Sequence, residues 1–118
     1  MFKVIVAGGR DFVDYDLLKS KLDILLVNRN PVEIVSGCAR GADKLGEVYA
    51  QSAQVPVARF PAQWSEHGKS AGYIRNDQMA EYADALVAFW DGKSRGTKHM
   101  IDVAISRGLK IRVVRYGS

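Results

Sequence analysis

Glycine and arginine recur in three short segments of this sequence, at residues 8–11, 36–43 and 90–97, and the last two segments also contain hydroxyl side chains. Each segment follows an apolar run and precedes a stretch with helical spacing, so each joins a predicted strand end to a helix start. A helix start offers free backbone N–H groups and a positive dipole end, and arginine can bind a phosphate through two parallel hydrogen bonds. The three segments therefore predict a site for a phosphate-bearing ligand.

The candidate binding residues are the small, polar, charged and aromatic residues of these segments, with two residues from the start of a later helix. They are Gly8, Gly9, Arg10, Asp11, Ser36, Gly37, Arg40, Gly41, Ala42, Asp43, Arg75, Asn76, Trp90, Ser94, Arg95, Gly96 and Thr97. Asp11 and Asp43 are also the candidate catalytic carboxylates. The alternatives stay open: either aspartate can instead stabilise a helix start, and Ser94 or Thr97 can be an ordinary N-cap.

A long segment at residues 61–72 is predicted to be a loop of the kind that forms lids or binding surfaces. Its Trp64 can stack on a base or anchor the loop by packing. The tripeptides at 68–70 and 92–94 resemble the end of a phosphate-binding P-loop, but the required first glycine is Gln63 or Val87, which excludes that motif. No metal site is predicted, because neither histidine has a second ligand at metal-binding spacing.

Length and composition predict one soluble domain over residues 1–118. No cofactor is expected. The 17 basic and 13 acidic residues give a net charge of +4, which favours anionic partners. A single cysteine, Cys38, excludes an internal disulfide and is typical of a reducing compartment. The first apolar run is too short for a signal peptide or a membrane span, so the expected location is cytoplasmic, with no membrane partner.

Five apolar runs predict strands, at residues 4–7, 32–35, 55–58, 85–89 and 110–114. Each run is continuous rather than alternating, which is typical of strands covered on both faces. Helical patterns lie between them, and those of the second and fourth helices include Val48 and Ile105. The sequence therefore predicts an α/β fold, a Rossmann-like doubly wound parallel sheet of order 3-2-1-4-5, with 2-1-3-4-5 as the alternative. In the first order, strands one and four are neighbours, and their loops meet at the switch point where ligands bind.

Motifs along nearly the whole chain resemble the YspA-type, YpsA-related branch of the SLOG superfamily. They are Gly9-Arg10-Asp11-Phe12, Gly37-x-Ala39-Arg40-Gly41-Ala42-Asp43, Phe60-Pro61-Ala62-x-Trp64, His67-Gly68-Lys69-x-Ala71-Gly72, Arg75-Asn76-x-x-Met79-Ala80 and Ala88-Phe89-Trp90-x-Gly92-x-Ser94-Arg95-Gly96-Thr97. The resemblance implies a Rossmann-like domain that binds a nucleotide or a nucleotide-derived ligand with its first, second and fourth loops. It also implies a homo-oligomer.

Relatives in this superfamily include phosphoribohydrolases of the LOG type, sensor domains of conflict systems and DNA-processing DprA proteins. The LOG motif is G-G-x-G-T-x-x-E, and here Met100 stands at the position of the catalytic glutamate and Ser94 at that of a glycine. A thioether cannot act as a base or stabilise an oxocarbenium ion, which weakens the expectation of that hydrolysis.

A binding or sensing domain is therefore the first hypothesis. A hydrolase that cleaves a nucleotide N-glycosidic or phosphate bond is the alternative, and whether the protein is an enzyme stays open. Binding of single-stranded nucleic acid ranks last, and nucleic acid is not the expected partner, because the basic residues form no stripe and the chain has no DprA-specific extension.

Overall fold

Five parallel strands form a sheet of order β3-β2-β1-β4-β5 in a computed structural model, which describes residues 1–117. The strands are β1 (Phe2–Gly8), β2 (Val32–Ser36), β3 (Val57–Arg59), β4 (Ala85–Trp90) and β5 (Lys110–Arg115). The helices are α1 (Tyr15–Leu25), α2 (Ala42–Ala53), α3 (Trp64–His67), α4 (Ala71–Tyr82) and α5 (Arg95–Ser106), with a 3₁₀ turn at Gly68–Ser70. The predicted order 3-2-1-4-5 is confirmed and the alternative 2-1-3-4-5 is wrong, because β1 pairs with both β2 and β4.

The central strands are buried on both faces, as the continuous apolar runs predict. One face of the sheet packs on α1 and α2 through a cluster that includes Val4, Val6 and Phe89. The other face packs on α4 and α5 through a cluster that includes Ile5 and Leu86. None of the helices in the described residues has the length and apolar composition to cross a membrane.

The prediction that every strand is covered on both faces is wrong for β5, where four of the six residues are exposed. This strand lies at the edge of the sheet and pairs only with β4, so the helices cover it incompletely. The other edge strand, β3, begins at Val57 rather than at Val55. Pro56 has no N–H to donate to a ladder and contributes only its carbonyl, which accepts from the Ile34 N–H.

Two apolar residues predicted on inward helix faces are exposed, Val48 by 48% and Ile105 by 61%. Each is adjacent in sequence to a residue that is buried, Tyr49 and Ala104 respectively. Successive residues on a helix point about 100° apart, so only one of each pair can face the sheet.

The predicted long loop is shorter than the sequence indicated. Residues 64–67 form a helical turn whose Glu66 and His67 N–H groups donate to the Gln63 carbonyl, and α4 begins at Ala71. A single turn has too few residues to display helical periodicity, which explains why the pattern missed it.

Gly46 determines how closely α2 approaches the sheet. A Cβ atom at this position would lie 2.8 Å from the Val6 Cβ atom of β1. Gly46→Ala is therefore expected to lower the free energy of unfolding by about 1–2 kcal/mol, measured by urea denaturation, because the packed core must move. Gly96→Ala is the control, since nothing lies within 4 Å of its Cβ position. Equal losses in both variants would contradict this explanation.

Candidate functional site

A cleft of about 740 Å³ lies at the carboxyl ends of the strands. It opens where β1 and β4 are neighbours, with Gly8 paired to Phe89. Of the residues predicted from sequence, those that line it are Gly8, Gly9, Arg10, Asp11, Arg40, Asp43, Arg75, Asn76, Ser94, Gly96 and Thr97. The three predicted segments therefore meet at one edge of the sheet. Outside this lining lie Ser36, Gly37, Gly41, Ala42, Trp90 and Arg95.

The first two segments touch through their backbones. The Gly9 carbonyl accepts hydrogen bonds from the N–H groups of Phe12 and Ala42. Gly41 has a positive φ of 80°, and a Cβ atom there would lie 2.2 Å from the Gly9 carbonyl oxygen. Gly41 and Ala42 thus fix the position of the α2 start, which explains their presence at this edge without a place in the cleft lining.

Asp11 lies at the rim of the cleft. Its carboxylate accepts a hydrogen bond of 2.7 Å from the Tyr116 hydroxyl, which follows β5. Burial and this bond raise the pKa of Tyr116 well above its usual range. The contact holds the C-terminal segment against the first loop.

Ser36 is fully buried, and its hydroxyl is used within the fold. The Oγ atom donates to Glu47 Oε2 of α2 at 2.6 Å and accepts from the Cys38 N–H at 3.1 Å. Glu47 also pairs with Arg59 at 3.0 Å. Ser36 therefore does not line the cleft, and its hydroxyl instead connects the second loop to α2.

Asp43 is the buried carboxylate of the cleft, with 5% of the residue exposed. Its Oδ2 atom accepts from the Ala39 N–H at 3.2 Å, and Gly41 rather than Asp43 is the N-cap of α2. Burial raises the pKa of Asp43 to about 6, against the opposing effects of the Ala39 N–H and the nearby Arg75.

This pKa makes the stability of the fold depend on pH. The folded protein binds the Asp43 proton more tightly than the unfolded chain, whose carboxyl has a pKa of 3.8. The stabilising contribution of Asp43 is therefore complete below pH 3.8 and is lost as the pH rises through about 6. Relative to Asp43→Asn, the parent should lose up to about 3 kcal/mol of unfolding free energy over that interval. Urea denaturation between pH 4 and 8 measures this difference, and parallel pH profiles would contradict the assignment.

Three polar side chains connect the second loop to α5 through α4. Arg75 donates from Nη1 to the Gly37 carbonyl and from Nε to Asn76 Oδ1 at 3.0 Å. Asn76 is buried, and its amide nitrogen lies 3.3 Å from the Gly96 carbonyl and 3.1 Å from His99 Nδ1. Burial lowers the pKa values of both Arg75 and His99. The neutral His99 ring can therefore accept at Nδ1 while it stacks on Tyr73, at a centroid distance of 4.2 Å.

Ser94 is the N-cap of α5, which is one of the two roles that the sequence left open for it. Its Oγ atom accepts from the Thr97 N–H at 3.4 Å and lies 3.1 Å from the Thr97 hydroxyl. The N–H groups of Arg95 and Gly96 have no acceptor within the described residues. They are therefore available to an anion at the helix start.

Trp90 does not line the cleft. Its indole N–H donates to the Ser94 carbonyl at 3.1 Å, and the Arg115 guanidinium lies over the ring at 5.3 Å. The ring thus orders the loop before α5 on the side facing β5. Arg95 is exposed and also lies outside the lining.

The cleft carries a small excess of positive charge. Four cationic side chains, Arg10, Arg40, Lys69 and Arg75, line it against three carboxylates, those of Asp11, Asp43 and Asp91. Within residues 1–117 no group of three or more histidine, cysteine, aspartate or glutamate residues could hold a metal ion. The excess of cationic side chains suits an anionic ligand.

A second cavity of about 430 Å³ adjoins the first. The two share Arg10, Ala39, Arg40, Trp64 and Arg75. Trp64 is 52% exposed, so its ring offers an aromatic surface where the two cavities meet.

A family model described as YspA, cpYpsA-related SLOG family (YAcAr) matches residues 2–67, more than half of the chain. The chain belongs to the YAcAr family. This YAcAr chain is also 33% identical over 129 aligned positions to the Gene 61 protein of Mycobacterium phage D29, covering 99% of this chain and 98% of that protein. The resemblance noted in the sequence is thereby confirmed.

Two solved DprA structures share the fold of this YAcAr chain. DNA processing protein A from Streptococcus pneumoniae superposes with a TM-score of 0.77 at 19% identity and covers 100% of the chain. The protein from Helicobacter pylori, described for its single-stranded DNA binding mode, superposes with a TM-score of 0.70 at 18% identity over 98% of the chain. The YAcAr chain spans 51% and 66% of those two longer chains.

Sequence patterns missed Lys69, Tyr73 and His99 as residues at or beside this cleft. Lys69 and Tyr73 lie in or next to the segment predicted as a loop, so no helix face indicated their direction. His99 carried no pattern of its own, and the signal that could have found it is the i, i+3 spacing from Gly96, which places both on one face of α5.

Proposed function

We propose that this protein is a binding or sensing domain for a nucleotide, or for a nucleotide-derived molecule that carries a phosphate. The observation that carries the proposal is the start of α5. There the Gly96 N–H has no protein acceptor within the described residues, and Gly96 lines a cleft shared with four cationic side chains. A phosphate at this position gains the helix dipole and the N–H donors together.

The base of the same ligand has a candidate surface in Trp64. Half-exposed aromatic rings stack on bases regardless of base identity, with about 1–3 kcal/mol per base in nucleic-acid complexes. Trp64 and Gly96 line one continuous cleft, so a single molecule can contact both. This pairing favours a nucleotide over inorganic phosphate alone.

Met100, the residue at the position of the phosphoribohydrolase glutamate, favours binding without hydrolysis. Met100 is 1% exposed and lies at the cleft, where it offers no acid or base. Hydrolysis of an N-glycosidic bond is the second candidate, and one observation favours it: a carboxyl with a pKa of about 6 is suited to donate a proton near neutral pH, and Asp43 is such a group. Asp11 is less suited to that role, because Tyr116 already donates to it.

Single-stranded nucleic acid is the third candidate. The expectation that nucleic acid is not a partner conflicts with the fold likeness to DprA, one of whose structures is described for single-stranded DNA binding. That likeness lies at 18–19% identity and supports the fold rather than the ligand. The net charge of +4 is compatible with either an oligonucleotide or a small anion.

Thermal-shift and calorimetric titrations separate these candidates. The probes are AMP, ADP, ADP-ribose, cyclic AMP, inorganic phosphate and a single-stranded oligodeoxynucleotide. The proposal predicts a raised melting temperature with millimolar nucleotide, because a ligand that binds only the folded state stabilises it. No shift with any of the small nucleotides would contradict it.

Two further readouts address the alternatives. Chromatography after long incubation is expected to recover the nucleotides intact, whereas release of the free base would establish hydrolysis. An oligonucleotide whose affinity falls steeply with salt, and exceeds that of every mononucleotide, would favour nucleic-acid binding.

A further inference from the structure

One oxygen of the buried Asp43 carboxylate is open to the cleft. Oδ2 accepts from the Ala39 N–H, and Oδ1 has no hydrogen-bond partner among the described residues. Among residues 1–117, no side-chain nitrogen or oxygen atom that is fully buried lacks a hydrogen-bond partner. Oδ1 is therefore not sealed in the protein, and Asp43 is itself a lining residue of the cleft.

The sheet order places this oxygen between the two ends of the cleft. Trp64 follows β3, Asp43 follows β2, and Gly96 follows β4, while β1 separates β2 from β4. Neighbouring strands lie about 4.8 Å apart, so the ends of β2 and β4 are separated by about 10 Å. Along the order of the strands, Asp43 therefore lies between Trp64 and the start of α5.

The chemistry of this oxygen limits what can lie against it. A phosphate would be repelled by the carboxylate, and an apolar group would leave a desolvated acceptor without a partner. A neutral hydrogen-bond donor satisfies it. In a nucleotide with its phosphate at α5 and its base at Trp64, the part between them is the sugar, whose donors are hydroxyl groups.

Resting on the proposed nucleotide-binding function, we propose that Asp43 accepts a hydrogen bond from a ribose hydroxyl and makes the site select ribonucleotides over 2′-deoxyribonucleotides. Hydrogen bonds to charged acceptors are stronger than those to neutral ones, so loss of a single hydroxyl has a measurable effect. Asp43 is in this respect a specificity-determining residue rather than a phosphate contact.

Isothermal titration calorimetry at pH 7.5 with AMP and ADP against 2′-deoxy-AMP and 2′-deoxy-ADP tests this inference. The deoxy ligands are expected to bind about tenfold more weakly to the parent protein. In Asp43→Asn that ratio should fall to about twofold or less, because the charged acceptor is gone. Asp16→Asn removes one carboxylate from the exposed first turn of α1, away from the cleft, and should retain the tenfold ratio.

The outcomes separate the inference from the function beneath it. Equal affinities for ribo and deoxy ligands overturn the inference and leave nucleotide binding standing, as does a preference that survives in Asp43→Asn. Failure of all four ligands to bind overturns both. Because the ligands of each pair differ by one hydroxyl, equal affinities in the unaltered protein overturn the inference even where Asp43→Asn fails to fold.

Discussion

Replacement of Arg75 by alanine is expected to lower the free energy of unfolding by about 3–4 kcal/mol. Its guanidinium donates to the Gly37 carbonyl and to Asn76 Oδ1, and its positive charge favours the ionised form of Asp43. Truncation removes these bonds at once and leaves the Asp43 carboxylate less compensated. Urea denaturation of Arg75→Ala at pH 7.5 measures the loss.

A second condition identifies the cause of that loss. If uncompensated charge at Asp43 contributes, the loss should be smaller at pH 5, where Asp43 is largely protonated and requires no cation. The control is Arg107→Ala, which removes a partly exposed guanidinium paired with Asp77 at 3.0 Å. Exposed pairs contribute about 0–1 kcal/mol, so this variant should change stability little at either pH. Equal losses of unfolding free energy in Arg75→Ala and Arg107→Ala would show that the buried contacts of Arg75 stabilise the fold no more than an exposed ion pair does.

The sheet order was predictable because the information is distributed over many residues. Five continuous apolar runs separated by helical spacing leave few arrangements once crossovers are right-handed. The meeting of the loops after β1, β2 and β4 then follows from topology and needs no side-chain detail. This is why nine of the fifteen candidate binding residues in the three segments line one cleft.

The direction of individual side chains was not predictable, because it depends on contacts between distant segments. Ser36 and Trp90 have residue types suited to a ligand, yet the first is bonded to Glu47 and the second lies between Ser94 and Arg115. Glu47 and Arg115 come from other elements, and a local pattern carries no record of such partners. Asn76 lies within α4, and its side chain donates to the Gly96 carbonyl of α5. It therefore links these two helices, which its position in the sequence did not indicate.

The polar side chains of the cleft are of two kinds, those held by hydrogen bonds within the protein and those without such bonds. Arg75 and Asn76 are held by several hydrogen bonds each, so they contribute rigidity to the site. Arg10 is exposed and makes no hydrogen bond within the described residues, although it lines both cavities. A cation without a hydrogen-bond partner in the protein keeps its donors for a ligand, so we expect Arg10 to bind phosphate oxygens.

Arg10→Ala is therefore expected to weaken ADP binding by about 10–100-fold, since a charge-assisted hydrogen bond contributes about 1.5–3 kcal/mol. Stability should change by less than about 0.5 kcal/mol, because this exposed side chain makes no hydrogen bond or salt bridge within residues 1–117. Calorimetry with ADP measures the first quantity and urea denaturation the second.

The matched variant for Arg10→Ala is Arg112→Ala, which removes the same charge from an exposed position of β5 outside both cavities. It should retain the parent affinity apart from a small long-range effect that salt screens. Adenosine provides the matched ligand, since it keeps the base and the sugar but has no phosphate. Its weaker binding should be equal in the parent and in Arg10→Ala. An equal loss for adenosine and ADP would instead place Arg10 against the nucleoside and move the phosphate site elsewhere in the cleft.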